Sequence, residues 1–167
     1  MAIPTGTLPW TKSCFVCGEE NPRGLRLKSG VDDGRVILEY TARERDLGWR
    51  SIVHGGIIMT LLDEVMTWAA ILAAGRPCIA AETTIRLKAP IRAGDALRVQ
   101  GEIPERASRI VKTGATVTLD DGTVAAVASG KYVLMAPDEV VSSHEDFVWS
   151  PDAIDLPWLR EEVEKKK

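Results

Sequence analysis

The stretch from Val53 to Gly75, VHGGIIMTLLDEVMTWAAILAAG, constrains the fold more than any other part of the chain. His54-Gly55-Gly56 is followed by eighteen residues, Ile57 to Ala74, without glycine or proline, and Gly75 then supplies a stop. The spacing predicts a long helix. At about 100° per residue, Gly56, Thr60, Asp63, Glu64 and Thr67 share one narrow arc, while Ile57, Ile58, Leu61, Leu62, Val65, Met66, Trp68, Ala69 and Leu72 cover most of the rest. A surface helix carries a broad charged face, often with Lys and Arg; this one holds two carboxylates and two hydroxyls. It must be wrapped, and a sheet is the element that can wrap it. A carboxylate buried without partners is costly, so Asp63 and Glu64 call for a reason, either catalysis or a subunit interface.

The remaining sequence supplies that sheet. Leu25–Lys28 and Arg35–Tyr40 alternate apolar and polar residues around a hairpin turn at Asp32-Asp33-Gly34. The polar segment Thr41–Ser51 reads as a loop that delivers the chain to the glycines, with Trp49 and Arg50 beside them. After Gly75 comes a long half-buried strand, with Thr83, Ile85 and Leu87 on one face and Thr84, Arg86 and Lys88 on the other. Leu97, Val99, Gly101 and Ile103 mark the next strand, and another runs from about Arg109 to Leu119. Asp120-Asp121-Gly122 turns it into a partner over Thr123–Met135, where Gly130, like Gly114 before it, signals a bulge or a close backbone approach. The expected fold class is α+β, a curved antiparallel sheet of about six strands wrapped around one long central helix. Residues 1–24 read as an N-terminal arm and Cys-x-x-Cys loop, 25–136 as the main domain, and 137–167 as an acidic, peripheral tail. That tail ends in a short helix starting at Pro157, whose C-terminal dipole Lys165 to Lys167 suit.

Composition narrows the function classes. A net charge of -3 with scattered Lys and Arg argues against nucleic acid as a partner, because phosphate binding needs a clustered basic surface. The N-terminus has no basic region followed by an apolar run, and Asp63 and Glu64 interrupt the most apolar stretch, so neither a signal peptide nor a membrane span is expected and the cytoplasm is the expected compartment. Cys14, Cys17 and Cys78 read as reduced thiols. For Cys14 and Cys17, a zinc site needs two further ligands, and Cys78, His54 and His144 do not stand at ligand spacing. A redox pair calls for a strand running into a helix, whereas turn formers follow here. A structural loop is therefore the expectation, with no metal, ahead of the metal and redox readings.

From Leu25 to Met135 the chain resembles the hotdog-fold acyl-CoA thioesterases, specifically the phenylacetate-degradation type branch. The marker is His54-Gly55-Gly56 followed by Asp63, nine positions after the histidine, within the same order of strands and helix. CFVCGEENPRGLRL, from Cys14 to Leu27, is also similar to an extension seen in a subset of such proteins. The resemblance implies hydrolysis of an acyl-CoA, or an aryl-CoA, without metal or covalent serine and with no cofactor beyond the coenzyme A of the substrate. It also implies a homodimer or dimer of dimers with sites between subunits. The Gly55 N–H would hold the thioester oxygen and Asp63 would act as base or nucleophile. Relatives often place an asparagine or glutamine shortly before His-Gly-Gly and a serine or threonine on the strand after the helix; here those places fall near Gly48 and Ala80, with Thr83 or Thr84 as substitutes.

The chemistry of the residues agrees. A thioester carbonyl needs a donor aimed at the developing oxyanion, and a helix N-terminus with bare glycines offers one. Asp63 lies seven residues beyond Gly56, on the order of 10 Å along the axis. One chain therefore does not hold the carbonyl and attack it at once: either water and substrate bridge an unusual gap, or the glycines of one subunit meet Asp63 of its neighbour, which the resemblance to dimeric relatives favours. His54 is read as a capping or orienting residue, with Gly55 and Gly56 shaping the entrance. Glu64 shares the polar arc, so either carboxylate could be the catalytic one, and the nine-residue spacing favours Asp63; Thr60 and Thr67 are expected to bond back to their own helix carbonyls, Thr67 with access to the acyl chain. Arg86, Lys88 and Arg92 are candidates for the coenzyme A phosphates against the alternative of solvated strand charges, and Trp49 for an acyl or aryl tunnel against simple packing. The competing functions are a non-catalytic acyl-CoA or acyl-carrier binding protein and a dehydratase of the same fold, for which only His54 is available.

Overall fold

The helix expected after His54 runs over Gly55–Ala74 (α1) in the computed structural model, which describes residues 3–104, 109–136, 139–140 and 144–164. Local chemistry sets both ends. His54 is extended and its side chain accepts the Gly56 N–H, while Gly75, left-handed at φ 63, donates its N–H back to the Ile71 carbonyl. Between these caps Leu61, Leu62, Val65, Met66, Ala69 and Ala70 are fully buried. By length and apolar composition α1 could cross a membrane, but here it is the core helix of the sheet described next.

In chain order the strands are β1 (Gly6–Thr7), β2 (Trp10–Thr11), β3 (Gly30–Asp32), β4 (Arg35–Thr41), β5 (Leu47–Trp49), β6 (Ile52–Val53), β7 (Cys78–Leu87), β8 (Ala96–Glu102), β9 (Ile110–Leu119), β10 (Val124–Leu134) and β11 (Phe147–Val148). Seven form one antiparallel sheet in the order β1-β3-β4-β8-β9-β10-β7. The sheet packs on α1 through β4, β7, β8, β9 and β10. Turn chemistry fixes the hairpins. Asp33 and Gly34 take φ of 46 and 69, the paired positive values of a two-residue hairpin turn, and join β3 to β4. Gly101 lets β8 approach the helix: a Cβ there would stand 2.6 Å from the Val65 carbonyl oxygen. Val36, Leu38, Leu97, Val99, Val111, Val117, Ala125 and Ala126 complete the core around α1.

The structure corrects two expectations. Leu25–Lys28 is not a strand, because the Leu25 and Leu27 N–H groups donate to the carbonyls of Phe15 and Val16 and Arg26 sits at φ 59, so this segment clasps the cysteine loop and pairing starts only at Gly30. The tail is not peripheral. β11 pairs with β2, the Ile154 N–H donates to the Thr7 carbonyl, and Ile154, Leu156, Leu159 and Val163 are buried, the last two on the C-terminal helix Pro157–Glu164. Leu156, Leu159 and Val163 recur at three- and four-residue spacing, the apolar stripe of a docked helix. Lys165 to Lys167 lie outside the described residues. The expected loop Thr41–Ser51 contains a 3-10 turn over Glu44–Asp46 and the first strand of the small hairpin β5–β6. The sheet ends at β7, whose outer edge pairs with no strand among the described residues and which exposes Ile79 and Leu87 by 53% and 56%.

Candidate active site

The approach to α1 is tied down from both sides. Tyr40 donates its hydroxyl to Oδ2 of buried Asp46 at 2.6 Å, the Asp46 carbonyl accepts the His54 N–H at 2.9 Å, and the Val53 N–H donates to the Ile91 carbonyl. Arg92, read as a phosphate candidate, donates to the Ser51 hydroxyl at 2.9 Å and so braces this turn. A Cβ on Gly48 would lie 2.8 Å from Cδ2 of His54, so His54 fills the place where a polar side chain was looked for.

At the helix start the amides are assigned one by one. The Gly56 N–H donates to Nδ1 of His54 at 2.9 Å and the Ile57 N–H to the His54 carbonyl. The Gly55 N–H has no acceptor among the described residues. It stands at the positive end of a twenty-residue helix and borders a cavity of about 260 Å³ lined also by Ile52, Val53, Ile58, Leu87 and Lys88. Hydrogen-bond donor, helix dipole and apolar walls meet at this one group.

Asp63 is held by a residue that sequence reasoning missed. Tyr132, fully buried on β10, donates its hydroxyl to Oδ1 of Asp63 at 2.8 Å. The hydroxyls of Thr67 and Thr83 stand near the same phenol. Burial, then the Asp63 charge and its hydrogen bond, push the Tyr132 hydroxyl far above the usual tyrosine range, so it remains a donor. The ring lies over Gly130, where a Cβ would come within 2.5 Å of Cε2. The close approach marked by Gly130 in the sequence was the available signal for Tyr132. Asp63 borders a second cavity, of about 550 Å³, together with Cys14, Met59, Thr60, Glu64, Ala80 and Thr83. The two cavities share no lining residue, which keeps Gly55 and Asp63 of one chain apart.

The other candidates divide between these places. Thr60 donates to the Gly56 carbonyl at 2.9 Å, as expected; Thr67 stands near the Tyr132 hydroxyl. A bulge in the β7–β10 register, between Lys131 and Tyr132, leaves Ala81 without a partner and puts Ala80 on the cavity side with Thr83 and Ile85. Thr84 and Arg86 alternate to the opposite, exposed face and line neither cavity. Lys88 reaches the Gly55 cavity, and Trp49, 75% exposed on β5, lines neither.

Glu64 points toward the cysteine loop. Its carboxylate and the thiols of Cys14 and Cys17 lie within 4.8 Å of one another. Burial, then the charge of Cys14, push the Glu64 carboxyl up to about 8, against a hydrogen bond from Trp68. The Cys17 thiol and backbone N–H groups in the loop lower the Cys14 thiol, and the same contact with Cys14, together with burial, raises Cys17. Ligand spacing among cysteines and histidines does not reveal a carboxylate that reaches the loop from the helix.

Residues 51–126 match the model of the Thioesterase superfamily, a span that includes His54, α1 and Asp63. Among solved structures the chain is similar to a Streptococcus mutans protein bound to acetyl CoA, with a TM-score of 0.60 and 20% identity over 66% of this chain and 89% of that one. The chain has a hotdog fold. It is similar also to the Escherichia coli PaaI protein from the phenylacetic acid degradation operon, with a TM-score of 0.61 and 20% identity over 70% of this chain and 87% of that one. A mutant acyl-CoA hydrolase from Staphylococcus aureus in complex with coenzyme A aligns with a TM-score of 0.59 and 19% identity, covering 64% and 67% of the two chains. Comparison with curated protein sequences finds no match.

Proposed function

We propose that the protein is an acyl-CoA thioesterase whose active sites form between two copies of the chain. The observation that carries this reading is the separation of two complementary half-sites, an unengaged Gly55 amide in one cavity and a tyrosine-held Asp63 carboxylate in another. A second copy brings them together. The free edge of β7, ten residues long with Ile79 and Leu87 exposed, is a surface that a folded protein normally covers, and pairing two such edges buries it. The match to the Thioesterase superfamily and the coenzyme A complexes of similar structures support the substrate class.

In the proposed reaction the thioester carbonyl oxygen accepts the Gly55 N–H of one subunit. Asp63 of the other takes a proton from a water molecule that attacks the carbonyl carbon. Tyr132 occupies Oδ1, which leaves Oδ2 to face that water. The tetrahedral oxyanion collapses, the C–S bond breaks, and the coenzyme A thiolate leaves with a free carboxylic acid as the other product. Thr83, on the cavity wall beside Asp63, is the hydroxyl available to hold the water. Lys88, on the wall of the Gly55 cavity, is the cation proposed to meet coenzyme A phosphate. No cofactor beyond the substrate's coenzyme A is invoked, and the cytoplasm is the proposed setting. The likeness to PaaI supports phenylacetyl-CoA as one member of the substrate panel.

Free thiol release from short, medium, long and aryl acyl-CoAs tests the reading. Wild type is expected to turn over and Asp63→Asn to lose roughly 10²–10⁴-fold in kcat, the scale of a general base. Binding of acyl-CoA with no thiol release above the Asp63→Asn background would replace the enzyme with an acyl-CoA binding protein.

A further inference from the structure

We propose that Cys14, Cys17 and Glu64 bind a zinc ion that clasps the N-terminal arm to helix α1 at the rim of the Asp63 cavity. The three side chains come from two segments fifty residues apart in sequence, and their ligand atoms lie within 4.8 Å of one another. That is the span of a tetrahedral zinc shell, whose ligands stand about 2.0–2.3 Å from the metal.

The loop is built around its sulfurs. The Val16 and Cys17 N–H groups point at Sγ of Cys14 at 3.2 and 3.3 Å, an arrangement that favours a thiolate. Gly18 closes the turn by donating its N–H to the Cys14 carbonyl, and a Cβ there would fall 2.3 Å from the Lys12 carbonyl oxygen and 2.5 Å from that of Cys14. The Leu25 and Leu27 N–H groups bind the two intervening carbonyls, Phe15 and Val16, and tie the loop to the segment that leads into β3.

The helix supplies the third ligand in a prepared position. Trp68, one turn further along α1 and buried, stands beside the Glu64 carboxylate and favours its charged form, an outer-shell position of the kind that orients metal ligands. Among the described residues no Lys, Arg or His nitrogen forms a salt bridge with Glu64. Lys28, a cation beside this loop, donates to the Cys17 carbonyl oxygen and pairs with Glu19, and the pair of sulfurs selects a thiophilic ion such as Zn²⁺ over Mg²⁺ or Ca²⁺. Binding releases the thiol protons to solvent. Cys14 and Glu64 both line the cavity that holds Asp63, so water can reach the site from it as a fourth ligand.

The proposal is independent of the thioesterase reading, and so is its test. Reduced full-length protein is mixed with one equivalent of Zn²⁺ and a competing chromophoric chelator, and the loaded protein is examined by X-ray absorption at the zinc edge. Wild type is expected to retain the metal and to show two sulfur scatterers at about 2.3 Å with two lighter atoms at about 2.0–2.2 Å. Glu64→Gln is expected to weaken binding by roughly tenfold or more, and Cys14→Ser to abolish the sulfur pair. Zinc lost entirely to the chelator by correctly folded wild type overturns the site, as does a shell of light atoms only. An unchanged affinity in Glu64→Gln removes the helix from it. The absorption measurement on wild type decides the matter even where a cysteine variant fails to fold.

Discussion

Gly55→Pro removes one hydrogen-bond donor and little else. Gly55 is the first residue of α1, where proline is favoured because its fixed φ suits the helix and the N–H has no intrahelical acceptor. His54, before it, already has φ -60 and ψ 131, the extended conformation that a following proline requires. The one near neighbour is the mobile end of Leu87, whose Cδ1 would lie 3.3 Å from the new Cβ. Rigidifying the unfolded chain contributes about 0.4–1 kcal/mol of stability, so the net change in Tm is expected to stay within roughly 2–4 °C. Activity is a different matter. The loss of a single oxyanion donor is worth about 2.7–4 kcal/mol, or about 10²–10³-fold in kcat. The assay is thiol release across a range of acyl-CoA concentrations, alongside circular dichroism and sedimentation to show an intact fold and assembly. A folded Gly55→Pro protein with wild-type kcat would refute the placement of the oxyanion at the head of α1.

Three further outcomes are expected. Tyr132→Phe keeps the ring over Gly130 and deletes the donor to Asp63; a hydrogen bond to a charged group is worth about 1.5–3 kcal/mol, so kcat should fall roughly ten- to a hundredfold with KM little changed, and a rise in KM at constant kcat would contradict the positioning role. Gly130→Ala forces a methyl against the fully buried Tyr132 ring and should destabilise the protein by about 1–3 kcal/mol, read from denaturant melts; an unchanged midpoint would show that the ring can move. Burial, followed by the bond to Asp46, pushes the Tyr40 hydroxyl up to about 12. Its folded value thus lies above the unfolded one, so the stability it contributes is complete below about pH 10 and is lost as pH rises toward 12. Tyr40→Phe should flatten that alkaline decline in urea midpoints, and an equal slope in both proteins would exclude Tyr40 as its source.

The fold was legible because its most informative elements are governed by local rules. Eighteen residues without a breaker between glycines can hardly be other than a helix, and Asp-Gly turns with alternating flanks fix the hairpins β3–β4 and β9–β10. Leu25–Lys28 misled because its alternation serves a loop clasp: Leu25 is buried and the Leu25 and Leu27 amides bind the cysteine segment, which periodicity alone cannot tell from a strand. The tail misled for a related reason, since three apolar residues in a charged segment show docking only once the surface that receives them is known. In the candidate site, Gly55 and Asp63 could be picked out by type and spacing. Tyr132 could not, because it reaches Asp63 across 69 positions of sequence through the β10 register. Glu64 and the cysteine pair are joined by the same kind of long-range closure.

The claim on which the account turns is that the two halves of each active site belong to different copies of the chain. Hybrids assembled from Gly55→Pro and Asp63→Asn chains test it directly, because each parent alone lacks one half of every site. In a mixed dimer one of the two sites combines the intact Gly55 of one chain with the intact Asp63 of the other. Random pairing of equal amounts should therefore restore roughly a quarter of wild-type thiol release. If co-refolded mixtures form hybrids, shown by native mass, yet release no more thiol than the parents, the site lies within a single chain and the account is wrong.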